Sequence, residues 1–440
     1  KSILKKIELI KLFMKKFFIY CIMISMLFTF AAGCGGGNTS EKELPYKPLI
    51  KPDLMWDTDA LFSRTVTVTQ GRTGDYTNKN GVTQAVFLDG ADYKGKPTTV
   101  FCYLGFPSSE MPEGGYPAMV LVHGGGGCAF YEWVEYWNGK GYAAIAIDTY
   151  AHQYGNTNGV GEVNPDGGPT DSGSFQNTKE TFYDSWVYHS VYNIISAHNV
   201  LIADERINSE KIGLTGISWG SVLTCITAGV DYRFKAFAPV YGSGFLLETP
   251  GVKDRDYFTE PDNVEEWIEC YDPISYLNYC NRPIMFAIGT NDSFFSPLLQ
   301  QQSSDLCEGK VYHSYRGNLT HYHRWKDEEG MIFVYDFMEQ TLNGKQMPLT
   351  VKSEKSDGKN ITVEIDGAEN LKTARLIYCV SDEGVSTSWR WSVMIIPKDK
   401  IKQGKISAEV PEDAKYAFIE LSDGKFNEFV ISSSLFTVNQ

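Results

Sequence analysis

The residues from Gly216 to Gly220 have the form G-x-S-x-G, the spacing at which a serine can act as a nucleophile. A β-branched and apolar run, 211–215, comes directly before them, and a helix-compatible run, 222–230, comes directly after. A chain that ends a strand, turns sharply and begins a helix raises the serine hydroxyl above the sheet, beside free backbone N–H groups. We therefore predict that Ser218 is a catalytic nucleophile on such a turn.

A serine hydroxyl is a weak nucleophile at neutral pH, so it needs a base and a carboxylate that fixes the tautomer of that base. The acid candidate is Asp292, which follows an apolar strand-like run and should lie at the carboxyl end of that strand. Asp305 is an alternative acid in a helix-like stretch. The base candidate is His321, with His323 as the alternative base, whereas His313 falls within a strand and reads as structural.

A tetrahedral intermediate also needs preset backbone donors for its developing negative charge. One expected donor is the N–H of Trp219, directly after the nucleophile. The other should come from the H-G-G-G-G run at 123–127, which follows a strongly apolar strand and lets the backbone approach without side chains. Gly125 is the first candidate and Gly126 the second; a plain flexible turn is the alternative interpretation.

These motifs resemble the α/β-hydrolase superfamily, and most closely its secreted dienelactone-hydrolase, prolyl-oligopeptidase and acetyl-xylan-esterase-like branch. The resemblance covers roughly residues 95–345 and is most specific from Thr215 to Phe245. It implies an α/β-hydrolase fold, a mostly parallel sheet flanked by helices, with the Ser, Asp, His order of catalytic residues. It also implies a small β-domain at the end of the chain, and catalysis without a cofactor.

The elements around the motifs agree with such a fold. Strand-like runs alternate with helix-like runs, which implies a mostly parallel sheet with crossovers. One helix is marked by an apolar stripe through 187–201, and His198 on that stripe reads as a core residue. The polar, glycine-rich stretch 155–177 is predicted to be a lid or a disordered loop. The segment 249–281 is read either as a cap over the pocket or as an ordinary surface excursion.

The last part of the chain has a different character. Residues 349–440 contain seven short strand-like runs, punctuated by Asp-Gly turns and without a convincing helix. We predict a C-terminal all-β, sandwich-like domain at 349–440, after an α/β-hydrolase catalytic domain at 48–345.

The first residues resemble a bacterial lipoprotein leader. Residues 14–33 read as a signal peptide, with two lysines, an apolar run and Ala-Ala-Gly before Cys34. Cys34 would then carry lipid, 34–47 would be a tether, and residues 1–13 would precede the initiator. The rival interpretation is a transmembrane anchor, but the apolar run of about 14 residues is shorter than the ~20 that a membrane-spanning helix needs. The expected location is the bacterial cell envelope, lipid-anchored on the periplasmic or cell-surface side.

The net charge and the cysteine spacing exclude some classes of binding partner. The formal net charge of −14 argues against nucleic acid, because phosphate backbones select basic surfaces. The cysteines beyond Cys34 are scattered, with no C-x-x-C pair, so no metal site is expected and most should be buried thiols. A disulfide between Cys270 and Cys280 is left open.

We therefore expect a serine carboxylesterase that removes short acyl groups, acetyl foremost, from polysaccharide or from small esters. The candidate flat faces for sugar rings are the aromatic residues Tyr150, Tyr154, Trp219, Trp267 and Trp325, with ordinary core packing as the alternative. The first alternative is a prolyl-oligopeptidase-like serine peptidase, although 44–110 is too short for a propeller. The second is a non-catalytic, glycan-binding surface lipoprotein, against which the intact set of catalytic candidates argues.

Overall fold

A computed structural model describes residues 56–74, 81–155, 161–171, 174–253, 259–321, 332–381, 390–424 and 429–439. The leader, the tether and Cys34 lie outside the described residues, as do His323 and Trp325. Residues 48–440 cluster as one compact unit. No helix among the described residues is long and apolar enough to cross a bilayer.

The strands and helices follow one another along the chain much as the periodicity predicts. The strands are β1 Val68–Gln70, β2 Gly81–Asp89, β3 Thr99–Pro107, β4 Tyr116–Val122, β5 Ala143–Ile147, β6 His152–Gln153, β7 Glu162–Val163, β8 Ile207–Ile217, β9 Ala236–Val240, β10 Ile284–Asn291, β11 Val311–Thr320, β12 Thr350–Ser356, β13 Asn360–Asp366, β14 Thr373–Cys379, β15 Trp391–Ile395, β16 Ile401–Lys402, β17 Lys405–Glu409, β18 Tyr416–Ser422, β19 Val430–Ser432 and β20 Phe436–Thr437. The α-helices are α1 Thr58–Ser63, α2 Tyr131–Gly139, α3 Trp186–Ala203, α4 Trp219–Val230, α5 Pro250–Lys253, α6 Val264–Tyr271, α7 Pro297–Ser304 and α8 Ile332–Asn343.

One large sheet runs through the molecule in the order β1-β2-β3-β5-β4-β8-β9-β10-β11-β19-β18-β14-β15. Its centre is parallel, from β5 through β4, β8, β9 and β10 to β11, while β1 to β3 pair antiparallel at one side. The parallel strands are joined through helices, as crossovers require. The α/β-hydrolase-like architecture predicted from the sequence is thus present.

Both faces of the parallel sheet are covered, which explains why its strands read as continuous apolar runs. Alternate residues of β4 point to opposite sides, so that Val120 and Leu121 belong to different hydrophobic clusters. Helices α3 and α4 pack in the first cluster, and α2 and α8 pack in the second.

His198 lies in the core, as its place on the apolar stripe predicts. Its side chain is fully buried, stacks on Phe234 at 3.7 Å between ring centroids, and bonds Asp231 Oδ2 through Nδ1 at 2.9 Å. Arg233 binds the same carboxylate through two nitrogens. Burial opposes ionisation of Asp231, but His198 and Arg233 outweigh it and hold the pKa of this carboxyl well below its usual range.

The sequence predicts the individual C-terminal strands, but it does not predict how they join the large sheet. Strand β19 pairs antiparallel with β11, so β19, β18, β14 and β15 continue the large sheet. A second sheet, in the order β12-β13-β17-β16, contributes Ile361 and Ile406 to the same cluster as Ile419 of β18. The two layers are sandwich-like, but no break in the large sheet separates them from the rest. A separate domain at 349–440 stays a prediction.

Candidate active site

Ser218 stands between β8 and α4, on the sharp turn that the motif predicts. Its backbone has φ 52° and ψ −122°, a strained region for a residue with a Cβ. A Cβ on Gly216 would lie 2.2 Å from the carbonyl oxygen of Gly220, and one on Gly220 would lie 2.3 Å from that of Val122. Both glycines are therefore required by close backbone approach.

The structure brings the three predicted catalytic residues together. His321 Nε2 lies 2.9 Å from Ser218 Oγ, and His321 Nδ1 lies 2.7 Å from Asp292 Oδ2. Asp292 follows directly after β10 and is 4% exposed. Its other oxygen, Oδ1, accepts the backbone N–H groups of Phe294 and Phe295, both at 2.8 Å. The carboxylate is thus fixed from two sides, with one oxygen left for the imidazole.

Aromatic side chains surround His321. The rings of Phe294, Tyr241 and Phe295 lie 4.7, 5.8 and 5.9 Å from the imidazole, measured between centroids. Such a shell limits access of water to the Ser218–His321 contact. In a site of low polarity the hydrogen bonds among the three residues are stronger than they would be in water.

The other acid and base candidates lie away from Ser218 or outside the described residues. Asp305 ends α7 and accepts a hydrogen bond from Gln301 at 2.7 Å. His313 lies in β11, where burial lowers its pKa to about 3 and Nε2 contacts Ser304 Oγ at 3.0 Å. His323 lies outside the described residues.

The glycine run after β4 forms a turn next to the nucleophile. The N–H of Gly127 donates to the carbonyl of Gly124 at 3.1 Å, and Gly126 has φ +68°, which favours glycine. A Cβ on Gly125 would lie 2.5 Å from Trp219 Cδ1, so this position lies directly against the residue after Ser218. Within the described residues, neither Gly125 N–H nor Trp219 N–H meets an acceptor, so both remain available to an oxyanion.

His123 holds the base of this turn. Its Nε2 accepts the N–H of Thr149 at 2.9 Å, and its Nδ1 donates to the carbonyl of Gly124 at 2.7 Å. Burial lowers the pKa of His123, which keeps the imidazole neutral in the tautomer that these two bonds demand. Asp148 Oδ1, in turn, accepts the N–H groups of Tyr150 and His152, both at 2.8 Å, and orders the segment after β5.

Tyr150 lies in a different environment from the one that the sequence analysis predicts. It is 7% exposed, so its ring is no flat face for a sugar. Its hydroxyl donates to Asp171 Oδ2. Burial, followed by the Asp171 carboxylate, raises the pKa of Tyr150 well above its usual range, and burial raises that of Asp171. Nothing in the local sequence pattern pairs these two residues.

A group of large aromatic side chains lies beside the nucleophile. The Phe175 ring stacks on Trp267 at 5.0 Å and lies 6.0 Å from Trp219, whose other neighbour is Trp186 at 5.5 Å. Trp267 belongs to α6, so the segment that was read as a cap or a surface excursion packs toward the site through this residue. Trp267 is 2% exposed and is therefore no free platform for a sugar ring.

The described residues contain no cluster of three or more His, Cys, Asp or Glu side chains arranged to hold a metal ion. The cysteines among the described residues form no disulfide, so Cys270 and Cys280 are not paired.

The chain resembles a known family in sequence and a solved esterase structure in fold. The model of the Dienelactone hydrolase family matches residues 102–314, a range that holds the glycine run, Ser218 and Asp292. The acetyl xylan esterase from Paenibacillus sp. R4 superposes with a TM-score of 0.52 at 20% identity, over 65% of this chain and 92% of that chain. A puromycin-hydrolyzing peptidase of Mycobacterium tuberculosis gives a TM-score of 0.45 at 20% identity, over 61% of this chain and 40% of that one. At 20% identity the likeness to the Paenibacillus esterase shows the fold alone.

A curated relative in Bacillus subtilis (strain 168), named "Uncharacterized peptidase YuxL", is 24% identical over 198 residues. The match covers 42% of this chain and 27% of that protein. The chain therefore spans only about a quarter of the relative that it matches.

Proposed function

We propose that this chain, which the Dienelactone hydrolase family model matches over residues 102–314, is a serine carboxylesterase of the α/β-hydrolase superfamily. The observation that carries the proposal is the pair of contacts of His321, at 2.9 Å to Ser218 Oγ and 2.7 Å to Asp292 Oδ2. Both distances are those of hydrogen bonds that activate a serine.

In the proposed reaction Ser218 Oγ attacks the ester carbonyl while His321 Nε2 accepts its proton. Asp292 keeps the imidazole in the correct tautomer and stabilises the imidazolium. The N–H groups of Trp219 and Gly125 bind the oxyanion. His321 then protonates the leaving alcohol, and a water molecule, deprotonated by the same imidazole, releases the acid from the acyl-enzyme.

We propose that the acyl group is short, with acetyl preferred. Phe175, Trp219 and Trp267 lie together beside the nucleophile, and Ser218 itself is 8% exposed. Side chains of this size leave little room for a long chain, which favours small acyl groups by exclusion. A short acyl group agrees with the name of the acetyl xylan esterase from Paenibacillus sp. R4, whose fold this chain shares.

We also propose that the alcohol part of the ester is a carbohydrate, either in a polymer or in a small molecule. We further propose that the protein is anchored in the cell envelope through lipid on Cys34. The acidic balance of the chain suits a neutral glycan rather than a nucleic acid. The lipoprotein-like leader would place the enzyme where polysaccharides are encountered.

A substrate panel tests this proposal. It comprises kcat/KM for acetyl, butyryl and octanoyl p-nitrophenyl esters, acetate release from acetylated xylan, and cleavage of aminoacyl p-nitroanilides, each with Ser218→Ala as the blank. We expect the acetyl ester to be the best aryl ester and acetate to be released from xylan. A preference for octanoyl would refute the short acyl pocket.

The second candidate is a serine peptidase, because the curated Bacillus subtilis relative is named as one. Cleavage of the anilides without hydrolysis of any ester would move the function to this candidate. Loss of all activities in Ser218→Ala is expected in either case.

A further inference from the structure

Strand β11 carries a bulge close to its end. It pairs with β10 in one register as far as Gly289 and Arg316, and the pairing resumes at Asn291 and Thr320. Three residues of β11, 317–319, therefore lie opposite the single residue of β10 between those two pairs. Extra residues of this kind bend a strand and re-aim the side chains that follow, and they are common next to active sites.

The bulge decides where His321 lies. If the earlier register continued unchanged, Asn318 rather than Thr320 would lie opposite Asn291. His321 would then be displaced by two positions along the strand, about 7 Å at the usual rise per residue. A displacement of this size would break the 2.9 Å contact of His321 Nε2 with Ser218 Oγ. The contact that the proposed reaction needs thus depends on the bulge.

Two side chains satisfy backbone N–H groups of the bulge. Gly317 N–H donates to Glu420 Oε2 at 2.8 Å, and Asn318 N–H donates to Thr290 Oγ1 at 2.8 Å. Thr290 belongs to β10, whereas Glu420 belongs to the C-terminal strand β18. A buried N–H group without an acceptor costs about 1–3 kcal/mol, so these two acceptors favour the bulged form of the strand over other pairings.

Glu420 is a fixed acceptor. Its side chain is 2% exposed, and its other oxygen, Oε1, accepts Arg375 Nε at 2.7 Å from the neighbouring strand β14. Arg375 thus holds one carboxylate oxygen, and the second oxygen receives Gly317 N–H. A hydrogen bond to an ionised acceptor is roughly twice as strong as one between neutral groups. Position 317 also packs closely here, because a Cβ on Gly317 would lie 3.0 Å from Ile377 Cδ1.

We infer that Glu420 is a positioning residue, which holds His321 in place through Gly317 N–H and the bulge of β11. Glu420 does not touch the reacting atoms. The inference rests on the proposed esterase function, in which His321 is the base. It makes the C-terminal strands a part of the active-site framework, because one of their carboxylates sets the end of the strand that leads to the base.

The main variant is Glu420→Ala. We expect kcat for p-nitrophenyl acetate to fall about 10- to 100-fold, with KM within about twofold, because a displaced base loses transition-state stabilisation rather than binding. Glu420→Gln, which retains an acceptor oxygen, should lose less. Titration of the serine with a fluorophosphonate, run to completion, corrects kcat for any unfolded fraction. The double variant Glu420→Ala/Arg375→Ala, which leaves no unpaired guanidinium, should show the same loss.

The matched control is Glu354→Ala. Glu354 is a buried carboxylate of the C-terminal strands that accepts the N–H of Ser434 at 3.0 Å, without a contact to the bulge. Its removal should lower the melting temperature and leave kcat per titrated site unchanged. Wild-type kcat in Glu420→Ala, or an equal loss of kcat in Glu354→Ala, would overturn the inference.

A spectroscopic readout separates positioning from stability. The proton that His321 Nδ1 shares with Asp292 Oδ2 should give a strongly deshielded ¹H NMR signal, identified by its absence in His321→Ala. In folded Glu420→Ala we expect this signal to be shifted or lost, and in Glu354→Ala to be unchanged. An unchanged signal in Glu420→Ala would contradict the positioning role, because a stabilising role alone does not move it.

The two proposals fail differently. If the wild type reacts with the fluorophosphonate but hydrolyses no ester, the esterase proposal is wrong, and the Glu420 comparison is still decided by the rate of phosphonylation. If esters are hydrolysed and Glu420→Ala matches the wild type, only the positioning role is wrong. A wild type that neither hydrolyses esters nor reacts with the fluorophosphonate refutes both.

Discussion

His321 Nε2 lies 2.9 Å from Ser218 Oγ, although the two residues are 103 positions apart in the chain. Ser218 begins the helix after β8, and His321 follows β11, so three crossovers of the parallel sheet lie between them. The contact therefore depends on the fold of the whole sheet and not on any local segment.

Ser218→Ala should lower kcat by about 10⁶-fold, the loss that follows removal of a nucleophile from a complete triad. The melting temperature should stay close to that of the wild type, because the turn is held by backbone contacts. Ser221→Ala is the matched control, since this buried hydroxyl lies on the same helix and makes no hydrogen bond within the described structure. Turnover retained in Ser218→Ala would eliminate the mechanism.

His321→Ala should be as damaging as Ser218→Ala, whereas His323→Ala should keep most of the activity. Only one imidazole fits between Ser218 Oγ and Asp292 Oδ2, and His321 occupies that place. Single-turnover rates with an aryl acetate compare the two variants. The opposite ranking would transfer the base to His323 and leave the rest of the mechanism standing.

Gly125→Ala and Gly126→Ala should differ in a way that identifies the oxyanion donor. A methyl group on Gly125 would lie 2.5 Å from Trp219 Cδ1, so the turn must shift and kcat should fall about 100-fold or more. A methyl group on Gly126 meets no atom within 4 Å, and its cost is the strain of φ +68°, about 1 kcal/mol of stability. Equal kcat losses in the two variants would contradict this assignment.

Asp231→Asn should destabilise the fold by about 3 kcal/mol at pH 7, because it removes the buried carboxylate that pairs with Arg233 and accepts a hydrogen bond from His198 Nδ1. The native pKa of Asp231 lies below its unfolded value, so its contribution is present above about pH 4 and is lost as the pH falls. Urea unfolding at pH 7 and at pH 3 measures this, and the difference between variant and wild type should shrink at pH 3. A constant difference would show that packing, not charge, is involved.

Cys34→Ser should move the protein from the membrane fraction to the soluble fraction, because a thioether-linked lipid cannot form on serine. Fractionation of cells that express both versions, with metabolic labelling by a fatty acid, is the measurement. An unchanged membrane fraction without label would indicate an uncleaved anchor at 17–30 instead.

The local sequence was enough to predict most elements and the members of the candidate site. Buried parallel strands such as Ala143–Ile147 are continuous apolar runs, and the G-x-S-x-G turn constrains its own backbone. A short stretch of sequence is therefore enough to predict both features. Catalytic roles for Ser218, Asp292 and His321 remain predictions, although the three side chains lie in contact.

Contacts between distant segments were not predictable in the same way. The pairing of β11 with β19, through His313 and Ser432, joins two strands whose patterns say nothing of a shared edge. Likewise, Tyr150 and Asp171 are an ordinary aromatic and an ordinary loop carboxylate until the fold brings them together. Both kinds of contact arise from tertiary packing, which overrides local propensity.

The pairing of β11 with β19 also sets an order of events in folding. Ser314 Oγ donates to the carbonyl of Val430 and Tyr315 N–H to Ser432 Oγ, so the outer edge of the strand that leads to His321 is closed by residues 116 and 117 positions later in the chain. Until those residues are in place, β11 is an open edge, prone to pair with other chains. A nascent chain synthesised only as far as His321 therefore holds Ser218, Asp292 and His321, but its β11 still lacks the strand at 430–432 that pairs with it.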